Sequence, residues 1–306
     1  MNARLTGVLA PVVTPFRDDL SPDAQRFVQH CRWVLSQGAG LVPFGTTSEA
    51  NSLSAGERMK LLEDLVAVGI DPAVMIPGTG CCSLPESVRL TEHAVNLGCA
   101  GVLMLPPFYY KRVTDEGLYR YFAEVIERVA DCRLRLYLYH IPPIAQVGFS
   151  VALIERLLTR YEEVIIGIKD SSGDWANTQA VLDATRGTAF RVFSGSETFL
   201  LRNLRSGGAG CITATANVNP GPMRKLCDHW QSAAANEAQK EIDQVRVIVE
   251  AQPLIPAIKQ VLAHWRRDPP WRTVRPPLTV LIAAQTDALI TALGEARGFS
   301  MAGLDE

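Results

Sequence analysis

Several features that define whole classes of protein are missing from this sequence. Its 306 residues contain no C-x-x-C pair and no cysteine and histidine cluster with zinc-ligand spacing. No window reaches the roughly 18 apolar residues that a membrane-spanning helix needs. Its 30 Lys and Arg residues against 32 Asp and Glu residues give a net charge of −2, and no long run of one sign occurs. The sequence therefore argues against a metal site, a membrane protein and a nucleic-acid binder, which would need a basic stripe.

The cysteines and the start of the chain both point to a reducing compartment. Seven cysteines, an odd number, are scattered through apolar surroundings, as is typical of buried free thiols. The early apolar stretch Gly7–Ala10 is interrupted at Pro11 and is too short for a signal peptide. We therefore expect a cytoplasmic protein.

Short apolar segments alternate with longer amphipathic ones over the first 220 residues. The apolar segments predict strands at Val8–Val13, Leu41–Phe44, Val74–Ile76, Gly101–Leu105, Leu134–Tyr139, Val164–Ile168, Phe190–Phe193 and Ala209–Thr213. The amphipathic segments predict helices at Ala24–Leu35, Glu57–Val68, Glu86–Leu97, Glu116–Val129, Val151–Leu158 and Ala176–Ala184. Strands that each precede a helix are typical of an α/β protein with a parallel sheet.

A closed (β/α)8 TIM barrel is the architecture that this alternation favours. A doubly wound open sheet would usually carry a G-x-G-x-x-G loop after its first strand, and here that strand runs into Val13-Thr14-Pro15-Phe16. Beyond Pro220 the pattern is helical, at Ala233–Ala251, Leu254–Trp265 and Leu278–Ala292. We expect residues 1–220 to form the barrel and residues 221–306 its last helix and a C-terminal helical extension, as a single structural unit.

Active sites of such barrels form at the carboxyl ends of the strands. The sixth predicted strand ends in Ile168-Lys169-Asp170, although the chain has only six lysines. An apolar strand that delivers a lysine to the barrel mouth favours a neutral, nucleophilic amine, which can form a Schiff base with a ketone. A lysine that simply ends a strand and reaches water would give the same local pattern.

Three other segments end strands with polar groups. Tyr139 closes the fifth predicted strand, where its hydroxyl could transfer protons or its ring could merely fill the barrel. Thr46 and Thr47, after the second strand, offer backbone N–H groups and hydroxyls to a carboxylate, although such turns are also common caps. Tyr110 follows the fourth strand and could equally be an interface aromatic.

Taken together, these segments resemble the pyruvate-dependent class I aldolase family, which includes dihydrodipicolinate synthase and N-acetylneuraminate lyase. The resemblance spans nearly the whole chain and rests on Gly7–Pro15, Gly45-Thr46-Thr47-Ser48-Glu49, Tyr109-Tyr110, Tyr139-His140-Ile141-Pro142, Gly167-Ile168-Lys169-Asp170 and Gly210-Cys211-Ile212-Thr213. It implies a lyase without metal or organic cofactor, because a covalent lysine–pyruvate imine acts as the electron sink. It also implies a homotetramer built as a dimer of dimers.

The resemblance implies a role for each matching position. Lys169 would form the imine and Tyr139 would relay the proton. Thr46 and Thr47 would hold the pyruvate carboxylate, and Thr47 would also link Tyr139 to Tyr110 of an adjoining subunit. The pocket would be lined by Gly195 and Ile212.

Two segments depart from the family pattern. Ser48 replaces the second glycine of the Gly-Thr-Thr-Gly-Glu turn, so we expect a slightly different turn there. After Tyr139, the arginine with which dihydrodipicolinate synthases bind the carboxylate of aspartate semialdehyde is missing, and Ile144 and Gln146 occupy this region. With Glu197, which follows the seventh predicted strand, these two residues are the candidates for acceptor specificity.

These observations predict a Schiff-base lyase of class I aldolase type that cleaves or condenses a 2-oxo acid, with pyruvate as one partner. Three alternatives remain open. One is a dehydratase, or decarboxylating dehydratase, of a sugar-derived 2-oxo acid. Another is a true dihydrodipicolinate synthase, which the missing arginine disfavours. The last is a non-catalytic barrel that binds 2-oxo acids.

Overall fold

The computed structural model describes residues 5–304. The first four residues, on which part of the N-terminal expectation rests, and the last two of the expected extension lie outside the described residues. The described strands are β1 Gly7–Ala10, β2 Gly40–Leu41, β3 Val102–Met104, β4 Leu136–His140, β5 Ile165–Asp170, β6 Arg191–Ser194 and β7 Gly210–Ile212. The described helices are α1 Ala24–Ser36, α2 Ala55–Ala67, α3 Leu84–Asn96, α4 Asp115–Val129, α5 Pro142–Ala145, α6 Val151–Tyr161, α7 Trp175–Ala184, α8 Leu200–Arg205, α9 Pro220–Asp228, α10 Ala235–Glu250, α11 Leu254–Trp265 and α12 Ala283–Glu295.

Three of the described helices, α1, α2 and α4, begin at side-chain caps. The Asp23 carboxylate accepts from the N–H of Arg26 at the start of α1. Ser54 and Glu57 form a reciprocal capping box at the start of α2, and Thr114 caps α4. Side-chain acceptors satisfy N–H groups that the first helical turn leaves without partners, which is why these helices begin where they do.

The chain divides into two compact units. In the first unit, which contains Asp71–Cys211, five parallel strands lie in the order β7-β6-β5-β4-β3, and β7 contributes Gly210 and Cys211 to this unit. In their register Tyr139 of β4 lies beside Lys169 of β5, and Lys169 lies beside Phe193 of β6. This register places the carboxyl ends of β4, β5 and β6 next to one another.

The expected strand at Val74–Ile76 is not observed. Pro72–Val74 form a 3-10 turn, and the segment's one bridge to β3 joins Gly78 and Leu103. Proline at the first position of that turn and the side-chain cap of Asp71 favour the turn over an extended strand. The described residues thus contain seven parallel strands instead of the eight expected, and closure into an eight-stranded barrel stays a prediction.

The second unit consists of Gly7–Ile70 and the residues from Ile212 onward. Here β1 pairs with β2 in parallel, and α10, α11 and α12 pack on one another. The helical C-terminal region is therefore confirmed, but α12 begins at Ala283 and not at Leu278. Among the described residues no helix is long and apolar enough to cross a membrane.

Candidate active site

Lys169 lies in the interior of the first unit, at the end of β5. All six residues of this strand are buried, and only 4% of Lys169 is exposed. Gly167, two residues earlier on the strand, has no room for a side chain, because a Cβ there would lie 2.5 Å from the Tyr137 ring. The strand therefore holds the Lys169 amine in a place where bulk water has little access.

The hydroxyl of Tyr139 is the group that the Lys169 amine contacts. Lys169 Nζ donates to Tyr139 Oη at 3.2 Å and lies 4.3 Å from the centre of the phenol ring. Tyr139 is itself buried, with 3% exposed. A shielded amine beside a phenol places a nucleophile and a proton-transfer group side by side.

Asp170, the residue after Lys169, is buried, and its carboxylate accepts three hydrogen bonds. Its carboxylate accepts from the Ser172 N–H, from Asn177 Nδ2 and from Thr178 Oγ1, at 2.9, 2.9 and 2.7 Å. These bonds tie the end of β5 to the beginning of α7. Asp170 therefore fixes the backbone that carries Lys169.

His140 has a structural role in the loop after β4. Its Nδ1 accepts from the N–H of Phe149 at 2.9 Å, and burial lowers the pKa of the imidazole against the opposing charge of Asp170. Gly148 leaves room for the ring, since a Cβ there would lie 2.6 Å from His140 Cε1. The histidine anchors the loop that follows β4.

Gly195 lies just beyond β6, beside the backbone of β5. Its N–H donates to the Asp170 carbonyl at 2.6 Å. A Cβ on residue 195 would lie 1.9 Å from Ser171 Oγ, so only glycine allows this approach. Gly195 is thus close to the carboxyl end of the strand that carries Lys169, as a lining residue requires.

The expected acceptor-side residues occupy two places in the same unit. Ile144 is 63% exposed in the short helix α5, and Gln146 ends that helix in a left-handed conformation with φ of 54°. Glu197 is fully buried in a 3-10 turn after β6.

The sequence interpretation missed Lys111 at this loop. Lys111 Nζ donates to the carbonyl of Ala145 at 2.8 Å and also to that of Phe108. A positive charge therefore lies at a loop whose own residues carry none. Only the fold could reveal this contact, because 34 positions separate Lys111 from Ala145.

Tyr110 extends away from the first unit. It is 75% exposed and meets Tyr109, itself 74% exposed, edge to face with ring centres 5.4 Å apart. The exposure of two adjacent aromatic rings is compatible with an interface. Its expected place in an adjoining subunit's site stays a prediction.

In the second unit, Thr46 and Thr47 lie on a tight turn after β2. Thr47 is buried, Thr46 is half-buried, and Ile212 at the end of β7 is fully buried. The Ser48 hydroxyl accepts from the Gly45 N–H at 3.2 Å, and the left-handed residues here are Phe44 and Glu49, with φ of 64° and 56°. Serine is therefore accommodated here without unfavourable backbone geometry. The expected difference from the family's turn stays a prediction.

Glu49 and Lys259 form a buried ion pair behind this turn, which the sequence interpretation also missed. Both side chains are 0% exposed. Burial lowers the pKa of Lys259 to about 8, although the attraction of Glu49 opposes the shift. No group of three or more metal-ligating side chains occurs in the part of the chain that the structure describes.

Comparison with known proteins identifies the family of the chain. The model of the dihydrodipicolinate synthetase family matches residues 4–296. An uncharacterized DapA-like lyase of Chloroflexus aurantiacus is 33% identical over 290 residues, which cover 94% of this chain and 95% of the relative.

Two solved structures share the fold. The crystal structure of dihydrodipicolinate synthase from Agrobacterium tumefaciens has a TM-score of 0.87 and 30% identity, covering 95% of this chain and 99% of that one. That of YagE, an E. coli K12 prophage protein of the dihydrodipicolinic acid synthase family in complex with pyruvate, has a TM-score of 0.87 and 27% identity, covering 96% and 99%. The chain therefore belongs to the dihydrodipicolinate synthetase family, whose members are lyases and aldolases.

Proposed function

We propose that this protein is a Schiff-base lyase that cleaves or forms a carbon–carbon bond of a 2-oxo acid, with pyruvate as one partner. The observation that carries the proposal is the contact between the buried Lys169 amine and the Tyr139 hydroxyl at 3.2 Å. The presence of pyruvate in the structure of the related YagE supports the choice of ligand. The reaction needs no metal and no organic cofactor, because the imine supplies the electron sink.

The first step joins Lys169 to the substrate. The neutral amine attacks the C2 carbonyl carbon, and the carbinolamine then loses its hydroxyl as water while Tyr139 supplies the proton. The product is an iminium ion whose positive nitrogen attracts electrons from the neighbouring carbon chain. A low-water environment stabilises this intermediate against early hydrolysis.

In the cleavage direction, the iminium withdraws the electron pair of the C3–C4 bond. The C4 hydroxyl gives its proton to the base, for which Tyr139 is the candidate, and an aldehyde leaves. The remaining enamine is protonated at C3, and water releases pyruvate from Lys169. Condensation runs the same steps in reverse.

The resemblance supplies the other roles in the proposal. Thr46 and Thr47 bind the substrate carboxylate, and Gly195 and Ile212 line the pocket. Tyr110 completes the proton relay from an adjoining subunit of a cytoplasmic homotetramer. Ile144, Gln146 and Glu197 select the acceptor aldehyde.

Borohydride trapping tests the proposal. Incubation with pyruvate and borohydride is expected to add one reduced pyruvyl group at Lys169, and Lys169→Ala is expected to abolish the addition. Lys259 is the matched control because it is also buried, so the modified peptide must contain residue 169 and not residue 259. Modification at any other lysine contradicts the assignment.

Product analysis then separates cleavage from loss of water. A panel of 4-hydroxy-2-oxo acids, which includes sugar acids, is expected to release pyruvate and an aldehyde. A product that has lost only water would indicate the dehydratase instead.

A further inference from the structure

Glu49 is the residue at which the Thr46–Thr47 turn is tied to the rest of the second unit. Its backbone N–H donates to the Thr46 carbonyl at 3.1 Å, so its position follows that of the turn. Its side chain ends in the ion pair with Lys259, and neither of the two side chains has any exposed surface. Glu49 therefore links the turn to a fixed point in α11.

Both ends of this ion pair have further partners. Lys259 Nζ also donates to the Thr273 carbonyl at 2.8 Å, and the N–H of Arg275 donates to Glu49 Oε2 at 3.1 Å. The Lys259 ammonium and the Arg275 guanidinium lie 4.3 Å and 4.7 Å from the centre of the Phe16 ring. The pair is thus contacted from two separate segments of the chain, the one that contains Phe16 and the one that contains Thr273 and Arg275.

The other side of the turn is closed by one hydrogen bond from a distant residue and one within the turn. Thr14 Oγ1 donates to the Ser48 carbonyl at 2.8 Å, and the Ser48 hydroxyl accepts from the Gly45 N–H. Glu49 itself adopts the left-handed conformation, which costs a residue other than glycine free energy unless its surroundings hold it. The ion pair with Lys259 and the hydrogen bond from the Arg275 N–H are the side-chain interactions that can hold Glu49 there.

A buried ion pair is a poor means of stabilising a fold. Removing two charges from water costs about as much as their attraction returns, and a well-packed apolar pair often serves equally well. What such a pair adds is a defined geometry, because charge-assisted hydrogen bonds are short and directional. A pair placed directly after a turn of small polar residues therefore points to a need for accuracy in that turn.

We propose that Glu49 and Lys259 are positioning residues that hold the Thr46–Thr47 turn in the geometry that binds the substrate carboxylate. The inference rests on the proposed function, in which these threonines contact the 2-oxo acid. Neither Glu49 nor Lys259 needs to touch the substrate. Their contribution is to fix the N–H and hydroxyl groups of the turn before the ligand arrives.

The test uses pyruvate as the probe and the rate of borohydride trapping as the measurement. Lys259→Met and Glu49→Gln remove one charge each, and the double variant removes both. Lys60→Met is the matched control, because Lys60 pairs with Asp64 on the surface of α2, with 68% of its side chain exposed. For each variant we measure three quantities: the pyruvate concentration that gives half the maximal trapping rate, the trapping rate at saturating pyruvate, and the midpoint temperature of thermal unfolding.

We expect the pyruvate concentration that gives half the maximal trapping rate to rise at least about tenfold in the single variants, which is the scale of one charge-assisted contact. The trapping rate at saturating pyruvate should change little. The single variants should unfold at lower temperature, because each leaves a buried polar group without its partner. In the double variant the unfolding midpoint should recover, but half-saturating pyruvate should stay high. Lys60→Met should match the wild type in all three measurements.

The outcomes separate this inference from the proposed function. If the double variant recovers both stability and pyruvate binding, the pair is only structural and the inference is wrong. Suppose that borohydride traps pyruvate on the wild type, and that the variants need the same pyruvate concentration as the wild type for half-maximal trapping. The inference is then also wrong, while the proposed function stands. If pyruvate does not modify the wild type at all, the proposed function fails and the inference fails with it. Glu49→Gln keeps these comparisons possible should Lys259→Met not fold.

Discussion

Tyr139 and Lys169 lie directly opposite each other in the register of β4 and β5, and the Lys169 amine donates to the Tyr139 hydroxyl at 3.2 Å. Because the two strands are parallel neighbours, both side chains leave the sheet at the same level and on the same side. The contact is therefore a consequence of the backbone pairing and not of flexible side chains that happen to meet.

Tyr139→Phe should slow turnover by about two to four orders of magnitude, because the ring stays in place but the proton-transfer group is lost. Half-saturating pyruvate should change little, since the carboxylate contacts are proposed to lie elsewhere. Steady-state kinetics of pyruvate release check the rate of turnover, and the dependence of borohydride trapping on pyruvate concentration checks the half-saturating concentration. Tyr119→Phe is the control, and a Tyr139→Phe rate within about threefold of the wild type would mean that the hydroxyl is not used.

Gly195→Ala should lower kcat/KM by about a hundredfold, the scale expected when reacting groups move by about 1 Å. The new Cβ would meet Ser171 Oγ at 1.9 Å and Ser171 Cα at 2.7 Å, so the ends of β5 and β6 must separate. Gly294→Ala is the matched control, because nothing lies within 4 Å of its added Cβ. Full activity in Gly195→Ala would show that this close approach is dispensable.

Aspartate semialdehyde should be a poor acceptor beside a neutral aldehyde of similar size. The loop of Ile144 and Gln146 offers no side-chain cation, and an unpaired carboxylate costs about 2–5 kcal/mol relative to a paired one. That corresponds to roughly a thirty- to several-thousand-fold lower kcat/KM. The two aldehydes are compared at saturating pyruvate.

If aspartate semialdehyde has the higher kcat/KM of the two aldehydes, Lys111 is the candidate for binding its carboxylate. Lys111 contacts the same loop at the Ala145 carbonyl. Lys111→Met separates the two cases. If Lys111 binds the carboxylate, the variant loses activity with the semialdehyde but keeps it with the neutral aldehyde.

The ion pair of Glu57 with Arg275 should make part of the folding stability depend on pH. The hydrogen bond from Arg275 lowers the pKa of Glu57 from its ordinary value of 4.5 to about 2. Since the folded state binds this proton more weakly, the contribution is fully present above pH 4.5 and is lost as the pH falls toward 2. As the pH falls from 4.5 toward 2, the free energy of unfolding of Glu57→Gln should therefore approach that of the wild type. Glu92→Gln, which removes an exposed carboxylate, is the matched control. A constant difference between Glu57→Gln and the wild type would contradict the assignment.

The sequence by itself determined the features that depend on local patterns. The apolar run before Lys169 predicted a buried strand that ends in a lysine, and the amphipathic segment Glu57–Val68 predicted the helix found as α2, because strand burial and helical periodicity act over a few residues. The third expected strand failed for a related reason. Val74–Ile76 is apolar enough for a strand, but the preceding Asp71 and Pro72 form the competing turn.

Only the tertiary structure decided which distant residues meet. Lys259 follows Glu49 by 210 positions, and nothing in the helical pattern of α11 distinguishes this lysine from one that faces water. The contact of Lys111 with the Ala145 carbonyl is equally invisible in the sequence, because a backbone acceptor carries no signature in the residue type. Periodicity tells which face of an element is buried, but the partner on that face depends on how the whole chain packs, and this is why the support of the Thr46–Thr47 turn appeared only with the fold.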